Sequence, residues 1–163
     1  MLKGDSRLPR LLPDGIIRTE KRKGRLRMIR PIVHDPLFLA RPSEPASRED
    51  LPVARDLVDT LTANMDRCVG MAANMIGVSK RIIVIARGPM AVAMLNPKIL
   101  SKRGEYEAEE GCLSLEGVRK TKRYKTIRLS WQDMQMKEHT ETLEGFQAQI
   151  VQHELDHCDG ILI

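Results

Sequence analysis

Apolar residues recur along this chain at two different periods, which divide it into helices and strands. Residues 41–47, rich in Pro, Ser and Glu, read as a loop. Beyond them Ala54, Leu57, Val58, Leu61 and Met65 fall at helical spacing. Ser47 stands where an N-cap belongs, Glu49 and Asp50 load the first turn, and Pro52 is tolerated there. The spacing predicts one helix with that stripe as its buried face. Residues 81–86 form a short apolar run, which predicts a buried strand. Gly88 and Pro89 turn the chain into a second strand at 91–95, and Asn96-Pro97 predicts another break. Residues 126–131 alternate and predict a strand with its apolar residues inward, and 140–143 predict a short one. A last helix is expected from Gly145 or Phe146 to about Cys158, with Phe146, Ile150 and Leu155 as core contacts. Asp159-Gly160 would close it through a left-handed cap. The fold class predicted is α+β, with mainly antiparallel sheets packed around the C-terminal helix.

Composition changes this picture in two places. The chain has 163 residues, which suits one domain with a sizeable core, but only 3% are aromatic, so Met, Leu, Ile and Val must fill the interior. The net charge of +5 is unevenly spread. Residues 1–27 hold nine Lys or Arg against three acids, a net of +6, and the remainder balances 18 basic against 19 acidic residues. The division expected is a basic N-terminal extension over 1–27, flexible or added by cloning, and a catalytic domain over 28–163. Basic runs attract phosphate without regard to sequence, so direct nucleic-acid binding by the extension stays open. No apolar run is long enough for a membrane span, and no secretory leader is evident. Three cysteines, an odd count, argue against a disulfide framework and for a reducing, cytoplasmic location.

The most specific chemistry lies in the last helix. Gln152 to His157 read Q-H-E-L-D-H, an H-E-x-x-H signature. Two imidazoles four residues apart project from one helix face and can share a metal ion, with the Glu154 carboxylate placed to handle protons of a metal-bound water. A catalytic metal usually takes a third protein ligand and keeps one position open. His34 and His139 read more easily as exposed residues, and Cys68 and Cys158 as small residues in apolar patterns. Cys112, in Glu109-Glu110-Gly111-Cys112-Leu113-Ser114, taken alone reads as a core thiol. A thiolate with two imidazoles would suit zinc or ferrous iron.

Glu110-Gly111-Cys112-Leu113-Ser114 followed by Gln152 to His157 resembles the paired motifs of the peptide deformylases. A third motif of that family, G-x-G-x-A-A-P-Q-x-G, is matched in part by Cys68 to Gly77. There Cys68 replaces the first glycine, Asn74 the proline and Met75 the glutamine. The resemblance runs from about Met28 to the end. It implies that Cys112, His153 and His157 hold one divalent metal, Fe2+ in the cell with Zn2+, Ni2+ or Co2+ accepted. It implies that Glu154 is general base and then acid. The backbone N–H of Leu113 would stabilise the oxyanion, and Gly70, Gly111 and Ile150 would bind the peptide. Asp156 is expected to orient the helix or a ligand. The activity implied is removal of the N-formyl group from N-formylmethionyl peptides, releasing formate, with the ribosome and its nascent chain as partner. Met75 has no hydrogen to donate to the oxyanion, and Asn74 is a conceivable substitute. The alternative is a divergent paralogue with weak deformylase activity that hydrolyses another N-acyl group or binds peptide N-termini without turnover. A zinc endopeptidase fits H-E-x-x-H but not the cysteine block.

Overall fold

The structure, a computed structural model, describes residues 10–11, 17–22 and 24–163, with side chains from residue 24 onward. Most of the expected extension over 1–27 therefore lies outside the described residues. Strands Arg10–Leu11 (β1), Ile17–Arg22 (β2) and Arg25–Ile29 (β3) form one antiparallel sheet. A short helix follows at Pro36–Leu39 (α1), then the long helix Leu51–Ala63 (α2). The second sheet is antiparallel throughout and comprises Gly70–Ala72 (β4), Ile82–Arg87 (β5), Met90–Gly111 (β6), Val118–Gln132 (β7) and Glu138–Glu144 (β8), paired in that order. The final helix is Gly145–Cys158 (α3). The α+β class expected from the pattern is what the chain forms. No helix among the described residues is long and apolar enough to cross a membrane.

The unbroken apolar run in β5 follows from its position between two helices. Ile83 and Ile85 point to one face, where they join Ala148, Ile150, Val151 and Leu155 of α3. Ile82 and Val84 point to the other, where they meet Ala54, Leu57 and Leu61 of α2. A strand covered on both faces needs apolar residues at every position rather than at alternate ones.

Three local expectations are corrected. Asn96-Pro97 does not end a strand. It sits inside β6 as an irregularity in the pairing with β7, with Asn96 at a positive φ of 50°. The Asn96 side chain bonds both backbone groups of Ala46 and the Gln132 side chain, which holds that conformation in place. Phe146 is not core, being 62% exposed at the mouth of a cleft. The buried face of α2 carries Asp56 and Asp59 as well as the apolar stripe, whereas Val58 is only half-buried.

Both carboxylates are paired. Asp59 takes two hydrogen bonds from Arg25 (2.8 and 2.9 Å) and one from the Met28 backbone, and Asp56 pairs with Arg30. The turn after α3 brings Gly160 against residues 40 and 41. Its φ is +73°, and a Cβ there would lie 2.5 Å from the Ala40 carbonyl oxygen, so only glycine fits. That close approach anchors the C-terminal end of the helix bearing the two histidines.

Candidate metal centre

Helix α3 presents His153, Glu154 and His157 to one side of the molecule, and the chain leaving β6 presents Cys112 to the same place. Cys112 Sγ lies 3.2 Å from His157 Nε2, although 45 residues separate them. One ligand atom from each of Cys112, His153 and His157 falls within 4.8 Å of the others. The imidazole centroids are 5.0 Å apart. The Ser114 N–H donates to the Cys112 sulfur at 3.4 Å, which fixes its direction. A soft sulfur and two imidazoles gathered within 4.8 Å of one another are a donor set that suits a zinc or ferrous ion with three protein ligands.

The ligands are oriented from behind. His153 Nδ1 meets Glu110 Oε1 at 3.0 Å, which leaves Nε2 for the cluster. Arg123 grips Glu110 through Nε and Nη2, and its Nη1 donates to Asp156 Oδ2 at 2.7 Å. The Gln149 amide donates to Glu110 Oε2 at 2.9 Å. The Glu110–Arg123 pair is nearly sealed from water, with side chains 7% and 4% exposed.

Burial alone would raise the Glu110 carboxyl, but bonds from His153, Arg123 and Gln149 outweigh it and hold the pKa down to about 2. Burial likewise works against a charged His153, yet its bonds with Cys112 and Glu110 lift it to about 10. For His157, burial with the nearby His153 and Arg123 charges lowers it to about 3. A neutral His157 is the form a metal needs.

Glu154 is 4% exposed, and its Oε2 has no hydrogen-bond partner. Burial, only partly offset by the His153 charge, raises it to about 7. A cation beside it would draw that value back down. Gly70 of β4 lies directly against this carboxylate. A Cβ at position 70 would stand 2.8 Å from Glu154 Oε1 and 2.7 Å from Ile150 Cγ2, so the close approach demands glycine.

The centre opens into a cleft of about 460 Å³. Arg67 to Gly70 form one wall and Glu109 to Leu113 the other, with Met75, Ile150, His153 and Glu154 at the inner end. The sequence-derived residues Gly70, Gly111, Leu113 and Ile150 thus all face the space beside the three ligand candidates. Met75 is 1% exposed, and its sulfur accepts the Ala72 N–H at 3.5 Å. Asn74 does not replace the missing amide donor, because its Nδ2 points away to the His157 carbonyl oxygen at 2.9 Å. His34 contacts the Ser114 carbonyl, and His139 pairs with Asp133 and stacks on Trp131, so neither joins the cluster. Cys68 borders the cleft with its thiol donating to the Gly70 carbonyl, and burial pushes that thiol up to about 11. Cys158 is buried.

Sequence reasoning missed the roles of Glu110, Arg123 and Gln149. A signal for Arg123 was present. Counting back by twos from Trp131, Leu129 and Ile127 puts residue 123 on the inner face of β7. Its neighbours Arg119, Lys120 and Lys122 are basic too, which masks that position in the residue order.

A protein-family model described as polypeptide deformylase matches residues 29–163. The peptide deformylase of Clostridium beijerinckii is 54% identical over 136 residues, which cover 83% of this chain and all of that relative. The crystal structure of peptide deformylase from Thermotoga maritima is similar with a TM-score of 0.74 and 32% identity, covering 82% of this chain and 94% of that one. A deformylase of Acinetobacter baumannii, solved with Met-Ala-Ser bound, matches with a TM-score of 0.73 and 30% identity over 82% of this chain and 96% of that one. By sequence over its last 135 residues and by fold, the chain belongs to the polypeptide deformylase family.

Proposed function

We propose that this protein removes the N-formyl group from the N-terminal methionine of newly made peptides. Water is consumed, the formyl C–N bond breaks, a C–O bond forms, and formate and a free amine leave. The observation that carries this reading is the meeting of Cys112, His153 and His157 beside a buried Glu154 whose Oε2 has no partner, at the inner end of a peptide-sized cleft. A divalent cation on those three ligands would supply Lewis acidity and make hydroxide available near neutral pH.

The chain's own groups do the rest. Glu154 takes the proton of the attacking water and returns it to the departing nitrogen. The Leu113 backbone N–H donates to the oxygen that becomes negative. Strand β4 is an edge strand of its sheet, so an extended peptide can add alongside Gly70 with Gly111 on its other side. Ile150 offers the methionine side chain an apolar contact. Asp156 orients the centre indirectly, by holding Arg123 against Glu110.

Ferrous iron in the cell, with zinc, nickel or cobalt as substitutes, is the metal we assign, on the chemistry of the donor set. The ribosome with its nascent chain, in the cytoplasm, is the setting this substrate requires.

The test is formate release from formyl-Met-Ala-Ser by protein loaded anaerobically with ferrous iron, with Glu154→Ala as control. We expect stoichiometric formate that disappears in the control. Hydrolysis of acetylated but not formylated peptide, or tight peptide binding with no formate, would overturn the reading.

A further inference from the structure

Along β4 the cleft opens in one direction. From Gly70 inward, Met71, Ala72, Ala73 and Met75 are all 1% exposed or less. From Gly70 outward, Val69 is 40% exposed and Arg67 lies on the surface. A formyl group at Glu154 therefore puts the first peptide residue beside Gly70 and sends the following residues past Val69 toward Arg67. In an extended chain the third residue stands two steps, roughly 7 Å, beyond the first, so it comes level with Cys68, one position short of Arg67 and within the span of a long arginine side chain.

Arg67 differs from the other charges around this cleft. Its Nε and Nη2 both donate to the Asn64 side-chain oxygen, at 3.1 and 2.7 Å, and Asn64 is neutral and 8% exposed. That fork holds the guanidinium in place without neutralising it. Among the described residues no carboxylate lies within ion-pair distance of it. Glu109 on the facing wall has Lys120 at 3.9 Å, and Glu110 is saturated by Arg123. The outer cleft thus carries one immobilised, uncompensated cation.

We infer that Arg67 makes this enzyme favour formyl-methionyl peptides with an acidic side chain at the third residue. The inference rests on the deformylase reading and adds a selectivity to it. It acts through binding at an exposed site, so it lowers KM and leaves kcat nearly unchanged. An exposed charge contact corresponds to a factor of roughly two to five.

The experiment compares kcat/KM for formyl-Met-Ala-Xaa amides with Xaa as Glu, Gln or Lys, at low and high salt. The amidated end removes the terminal carboxylate from the comparison. We expect Glu over Gln over Lys by about two- to fivefold per step at low salt, carried by KM and compressed at about 1 M salt. Arg67→Ala should flatten the series and Arg67→Glu should invert it. Glu109→Gln should steepen it. Equal turnover of all three peptides would overturn the selectivity and leave deformylation standing, as would an unchanged order in Arg67→Glu. Formate from none of them would overturn both.

Discussion

Helices α2 and α3 flank the same strand, β5, and each buries acidic side chains, yet the two sets of acids are handled in opposite ways. On α2, Asp56 and Asp59 are 8% and 5% exposed, and Arg30 and Arg25 engage them. On α3, Glu154 is 4% exposed with one oxygen unpartnered, and His157 Nδ1 beside it is unpartnered too. A buried carboxylate with all its hydrogen bonds made is a fastener. One left incomplete is held in a costly state by its surroundings, which is where proton chemistry belongs. Burial alone does not distinguish the two helices; satisfaction does.

Substitutions can break this contrast, beginning with the largest effect. Glu154→Gln should cut kcat by about 10²–10⁴ while metal content, measured after dialysis, stays at one ion per chain. Its melting temperature should equal or exceed that of the parent, because an unsatisfied buried charge has gone. A lower melting temperature would place Glu154 among the fasteners.

Next comes Met75→Gln. The new amide oxygen can take over the Ala72 N–H that the sulfur now accepts, which frees the amide hydrogens for the cleft. We expect kcat/KM for formyl-Met-Ala-Ser to rise, by up to about 10²–10³. No gain in a folded, metal-loaded variant would mean that Met75 is not the missing donor position.

Glu110→Gln tests the layer behind the metal. It removes the charge that orients His153 and that Arg123 was buried to meet, so metal affinity measured by chelator competition should fall roughly 10- to 100-fold. The smallest effect belongs to the far helix. Asp59→Ala strips the Arg25 and Met28 contacts and should cost about 1–3 kcal/mol in urea unfolding. Metal affinity and KM should not move. A loss of metal affinity there would erase the distinction between the two helices.

The same contrast explains which parts were readable from residue order. The H-E-x-x-H turn was legible because its ligands are local, four residues apart on one helix. The apolar run of β5 was legible because a doubly covered strand leaves an unbroken stretch. The bulge at Asn96-Pro97 was not, since its positive φ is held by contacts with Ala46 and Gln132, 50 and 36 residues distant. The apolar stripe of α2 gave no sign that Asp56 and Asp59 are buried beside it, because their partners, Arg25 and Arg30, come from another part of the chain. Arg123 was hidden in a run of like charges.

Residue order by itself determined the period of α2, β5 and α3 and the pairing of two imidazoles on α3, because those depend on neighbours within a turn or on an unbroken apolar run. Folding alone brought Cys112 within 3.2 Å of His157, set Arg123 between Glu110 and Asp156, and turned Asn74 away from the cleft. Each of those needs two distant segments to meet with water excluded, and exclusion of water belongs to the packed molecule.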